Sequence, residues 1–137
     1  MISPSQNIAL IQGELADLRL YQSLRKKASG DFADMLEAFI ATEEKHVSFW
    51  QKTFGTKKVS LTLTGRARNS FIQGCVLLFG ESAGYLLLEA VESHGIRQYL
   101  RLWKQVKDEK VRNTIRQILI EELEHEDIMA TGGTRTT

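Results

Sequence analysis

Two helical stripes in this chain carry the same interruption at the same depth. Counting in alternating steps of four and three from Phe32 gives Leu36, Phe39, Glu43, His46 and Trp50; the same count from Val111 gives Ile115, Ile118, Glu122, His125 and Met129. Residues so spaced share one face of an α-helix. Each stripe therefore reads apolar, then Glu-x-x-His, then apolar. A lone carboxylate buried in such a stripe costs on the order of several kcal/mol, so both stripes need a compensating partner.

A second pair of segments repeats in the same way. Ile11, Glu14, Leu18 and Tyr21 correspond to Glu89, Glu92, Ile96 and Tyr99 at identical spacing. Each half of the chain runs glutamate, six residues, tyrosine, and then a Glu-x-x-His on the following helix. Glu14 precedes Glu43 by 29 residues and Glu92 precedes Glu122 by 30. The pattern is that of an internal duplication.

A single proline, Pro4, and long 3.6-period segments predict an all-α chain. Ser3-Pro4 opens a first helix expected to run to about Lys27; Gly30 suits a left-handed terminus and Asp31 an N-cap for a second helix from Phe32 to about Phe54, closed by Gly55. Residues 56–65, TKKVSLTLTG, form a lone alternating stretch without a partner strand and are read as an extended crossover. Helix resumes near Arg66, with an interruption near Gly80, and continues to about Lys107. The last helix starts at Asp108 and ends before Gly132-Gly133. Four long helices with two tight connections and one long one between helices 2 and 3 describe a four-helix bundle with one crossover. Residues 1–130 form this single domain, and the polar tail 131–137 is expected to be disordered or to begin a linker.

Charge narrows the function. Eighteen basic against seventeen acidic residues provide no field to attract nucleic acid. MISPSQN has neither the basic flank nor the apolar run of a signal peptide, and no stretch approaches the ~18 apolar residues of a membrane span. One cysteine, Cys75, forms no internal disulfide and, with VLLF after it, reads as a small buried apolar residue in a reducing, cytoplasmic setting.

Four glutamates and two histidines at one height in a bundle suit two metal ions. Carboxylates bridge and imidazoles terminate, and a glutamate from each of two helices plus Glu-x-x-His from each of the other two is the recipe for carboxylate-bridged di-iron or di-manganese sites. Such oxygen and nitrogen donors also accept zinc.

On these residues the chain resembles the ferritin-like superfamily, more closely its rubrerythrin-like branch, over about residues 5 to 130. The resemblance implies a ferritin-like four-helix bundle holding two iron ions. Glu14 and Glu92 would be terminal ligands, Glu43 and Glu122 the bridging pair, and His46 and His125 the caps of one iron each. Glu89, three before Glu92, matches an additional carboxylate that becomes a ligand when iron changes oxidation state; it also fits the solvent edge of its stripe. Rubrerythrins usually add a rubredoxin-like site of CxxC pairs, which a single cysteine cannot supply. Cage ferritins usually have a fifth short helix, which nothing after Met129 matches.

A further likeness is to the soluble domain preceding the membrane part of some vacuolar iron transporter family proteins, carried by Phe79-Gly80 before the third long helix and by the glutamate- and histidine-rich fourth. That likeness implies an attached membrane domain after residue 137, a place at the membrane surface and a homodimer. The activity implied is reaction of Fe(II) with O2 or peroxide, of ferroxidase or peroxidase type. Two other readings stand beside it: a metal-sensing or metal-accepting regulatory domain without catalysis, and a structural bundle without metal.

Other polar residues read more simply. Tyr21 and Tyr99 suit packing with a satisfied hydroxyl, or a hydrogen bond to a ligand or an electron relay. Trp50 and Trp103 suit packing. His94 points away from the face of Glu92, and Glu44, Glu121, Glu124 and Glu126 fall on the solvated side, with Glu126 able to support a ligand from behind.

Overall fold

The computed structural model describes residues 4–55 and 59–135, with side chains over 6–55 and 59–131. Among these residues the chain forms five helices and no strand: α1 (Pro4–Arg25), α2 (Gly30–Phe54), α3 (Leu63–Phe79), α4 (Glu81–Gln105) and α5 (Glu109–Arg135). The chain is all-α, as its periodicity requires. No helix among the described residues is long and apolar enough to cross a membrane. Two compact units divide it, Ser3–Glu81 and the chain from Ser82 onward.

In the first unit α1 packs along α2, and α3 lies against α1. The stripe of α2 is buried as its spacing demands, with Phe32, Leu36, Phe39 and Trp50 all at most 2% exposed. Facing residues Ile11, Leu18, Leu20 and Tyr21 of α1 are buried as well, and the Tyr21 and Phe39 rings meet at 5.7 Å between centroids. Trp50 stacks on Phe54 at 5.2 Å, filling the last turn of α2.

The helix ends follow local chemistry with small shifts. Ser29, with extended φ and ψ, takes the N-cap position of α2 in place of Asp31, which lies in the first turn where its negative charge suits the N-terminal dipole. Gly30 adopts φ 60 and Gly55 φ 67, and the Gly55 N–H donates to Gln51 O. The stretch read as crossover is shorter than expected: residues 56–58 lie outside the described residues, and helix returns at Leu63. Thr62 caps it by accepting from the Gly65 N–H at 2.9 Å. Gln12 Nε2 donates to Ser60 O at 3.1 Å, which ties the approach to α3 onto α1.

A polar latch then holds α3 in place. Asn69 is buried; its Nδ2 donates to Ala16 O at 2.9 Å and its Oδ1 accepts from the Arg68 guanidinium, which also reaches Asp17 Oδ1 at 2.9 Å. The helices come close here, since a Cβ on Gly65 would sit 3.7 Å from the Ala16 Cβ.

Gly80 separates α3 from α4 outright, with φ 86 and ψ −174, a conformation open essentially to glycine alone. Cys75 departs from expectation. It is half-exposed, and Leu77, Leu78 and Phe79 after it are exposed.

The second unit is built on α4 and α5. Its stripes are also buried, with Leu88, Tyr99, Ile115, Ile118 and Met129 at most 2% exposed, while Val111 at the start of the α5 stripe is half-buried. Asp108 caps α5 as its position predicts, its Oδ1 accepting from the Val111 N–H at 3.2 Å. At the α4–α5 corner the Arg112 guanidinium lies 4.1 Å from the centre of the Trp103 ring and donates to Trp103 O and Val106 O. Helix α5 continues through Gly132-Gly133 to Arg135. Each glycine weakens a helix by about 1 kcal/mol relative to alanine without forbidding it, so the ladder begun upstream carries on past the expected stop.

Candidate metal centre

Within the first unit, α1 supplies Glu14 and α2 supplies Glu43 and His46. Residues three apart on a helix stand on one face a turn apart, so Glu43 and His46 project together toward α1. His46 Nδ1 lies 3.2 Å from Glu14 Oε2 and 3.6 Å from Glu43 Oε2. One donor atom from each of the three lies within 4.8 Å of the others. All three residues are buried, at 5%, 0% and 2% exposure.

Helices α4 and α5 build the corresponding set in the second unit. Glu92 comes from α4, and Glu122 and His125 from α5. His125 Nδ1 is 3.6 Å from Glu92 Oε1, and again one donor atom of each residue lies within 4.8 Å of the others. Exposure is 1%, 3% and 6%. The same glutamate–histidine contact thus recurs in both halves, as the duplicated spacing implies.

Burial separates these six residues from the rest. Among the described residues the buried polar or charged side chains are Glu14, Glu43, His46, Asn69, Glu92, Glu122 and His125. Six are the residues singled out by spacing, and the seventh is the latch of α3. Glu89 is half-buried and stands outside both groupings. His94, Glu44 and Glu124 are exposed, while Glu121 and Glu126 are intermediate. Tyr21 and Tyr99 are buried two turns beyond Glu14 and Glu92 on the same helices.

The donor chemistry of each set fits a divalent first-row metal. Two carboxylates and an imidazole offer hard oxygen and borderline nitrogen donors. Donors around one ion at bond lengths of about 2.1 Å stand roughly 3 Å apart, and the donors of each set lie within 4.8 Å of one another. Without one, the same side chains keep ionisable groups out of water at a cost. Asn69 is the buried polar residue that spacing did not flag, since its burial goes with a hydrogen bond to Ala16 O of α1.

An all-α chain with duplicated, buried Glu and Glu-x-x-His sets belongs to the ferritin-like class of carboxylate metal proteins. The sequence matches the Rubrerythrin family over residues 9–131, and the chain is a member of that family of di-iron carboxylate domains. No curated protein and no solved structure matches it.

Proposed function

We propose that this chain is a carboxylate-bridged di-iron protein that binds Fe(II) and reacts with O2 or peroxide, as a ferroxidase or peroxidase. The observation that carries this reading is the burial of four carboxylates and two imidazoles at the duplicated positions. Family membership over both halves of the chain supports it. In this reading Glu14 and Glu92 would serve as terminal ligands, Glu43 and Glu122 as the bridging pair, and His46 and His125 would each hold one ion. Glu89, half-buried three residues before Glu92, is a further carboxylate available when the charge of the centre changes.

Bound iron would supply the electrons for reducing O2 or peroxide. The chain's own residues do the rest. Four carboxylates would balance the charge of two divalent ions, and a carboxylate can bind through one oxygen or two. The two imidazoles would supply the nitrogen donors. Ile11, Leu36, Phe39, Ile115 and Ile118, all buried beside the ligands on the same helices, keep bulk water away. No protein nucleophile is needed.

Anaerobic loading with Fe(II), followed by metal analysis, oxygen uptake and near-ultraviolet absorbance on admitting air, tests the proposal. About two ions per chain and oxygen consumption are expected, both lost in Glu43→Ala and Glu122→Ala. Fewer than about one ion per chain, unchanged by those substitutions, sinks the metal reading. Binding without oxygen uptake transfers the site to a sensing or accepting role.

We also propose that this chain serves as the iron-handling domain of a membrane iron transporter, on the cytoplasmic side. Phe79-Gly80 ahead of α4 and the glutamate- and histidine-rich α5 support that placement.

A further inference from the structure

A cleft of about 360 Å³ opens in the first unit, where the end of α1, the start of α2 and the second half of α3 meet. Its apolar walls are Leu24, Phe32, Val76 and Leu77. Leu24 and Phe32 are buried while Leu77 is exposed, so the walls grade from the core to the surface. Gly74 joins the lining from within α3, a place where glycine weakens a helix relative to alanine. A Cβ added there would meet nothing within 4 Å. The chain itself leaves that space open.

The polar groups of the cleft are mostly of one kind. Ser23 of α1, Lys27 just past its end and Gln73 of α3 can all donate hydrogen bonds. Among the described residues none of these three side chains has a hydrogen-bond or ion-pair partner. Glu81, the carboxylate of the lining, already accepts from the Ser29 N–H at 3.4 Å. Lys27 is exposed, which suits an ammonium at the mouth with its stem along the wall. An anionic head would therefore find donors here, whereas a cationic one would find only an acceptor in use.

We propose that this cleft binds a small amphipathic carboxylate, a straight-chain fatty acid of about ten carbons, with its chain against the apolar walls and its head at Lys27. A cavity of about 150 Å³ accepts benzene, so one of about 360 Å³ suits roughly twelve non-hydrogen atoms. The carboxylate has two oxygens to accept from Lys27, Ser23 and Gln73, and charge-assisted bonds of this type are the stronger ones. The chain would fill the space that Gly74 leaves and cover part of Leu77, which the fold exposes to water.

This site stands apart from the iron reading, and it is tested on metal-free chain in EDTA by isothermal titration calorimetry. Decanoate, kept below its micelle concentration, is expected to bind saturably at one site per chain. Hexanoate, shorter by four CH2 groups, should bind on the order of 100-fold more weakly. Lys27→Gln should weaken decanoate by about 5-fold or more, and Gly74→Phe should remove binding by filling the cleft. Helical circular dichroism should stay unchanged in both. Lys26→Gln, exposed beside Lys27 but outside the lining, should bind as wild type does. Absence of saturable decanoate binding overturns the proposal, as does a folded Lys27→Gln or Gly74→Phe variant that binds decanoate at wild-type strength. Decylamine or decanol binding as tightly as decanoate overturns the carboxylate head. Flotation with phosphatidylglycerol vesicles by a chain that ignores free decanoate overturns it in favour of a lipid surface.

Discussion

Glu43 has no solvent exposure, yet it stands one turn before His46 between Phe39 and Trp50. A residue kept there for stability alone would be a poor choice, because a buried ion pair is often matched or bettered by neutral groups of similar volume. Glu43→Gln preserves shape and removes charge. Two carboxylates face one imidazole here and His46 keeps Glu14 at 3.2 Å, so removing the Glu43 charge relieves like-charge repulsion without stranding a partner. In metal-free protein we expect stability to rise by about 1 kcal/mol, the size of one pKa unit, while iron binding falls, read by urea denaturation in EDTA and by metal analysis. A loss of stability would mean that Glu43 serves mainly as a structural partner of His46, 3.6 Å away. The adjacent Glu44 is exposed, so the four-three count distinguished two neighbouring glutamates correctly. It offered nothing about Asn69, whose burial depends on an acceptor 53 residues earlier in the chain.

At the scale of elements, the same substitution should have opposite signs at two glycines. Gly80, with φ 86 and ψ −174, holds the break between α3 and α4, and Gly80→Ala should destabilise by about 1–3 kcal/mol. Gly95 lies inside α4, where an added methyl would meet nothing within 4 Å, so Gly95→Ala should stabilise by about 1 kcal/mol through helix propensity. Thermal and urea unfolding of the two variants checks both signs. The helices themselves were legible from period, proline placement and caps. The crossover was less so, because TKKVSLTLTG alternates like a strand while its last residues enter α3. VLLF was misleading for a plain reason: an apolar run reports that a surface avoids water, and α3 leaves that surface uncovered within its own unit.

At the scale of the whole molecule, the duplication means that each unit carries one buried glutamate–glutamate–histidine set. Ions that bind the folded chain and ignore the unfolded one must raise its stability. At a free metal concentration a hundred times Kd the gain is about 2.7 kcal/mol, on the order of 10 °C in melting temperature for a chain of this size. Scanning calorimetry with EDTA and with anaerobic Fe(II), Mn(II) or Zn(II) measures it. The shift should be absent in a Glu43→Ala, Glu122→Ala double variant.

Helical class, the duplication and the identity of the six buried ligand candidates follow from the order of residues alone, because each depends on spacing along a helix of known pitch. Where α3 lies, that Asn69 latches it to α1, and that its apolar side remains open beside a cleft were decided only by tertiary structure. Those features arise from contacts between residues far apart in the chain, and no local period encodes which of two apolar faces finds a partner.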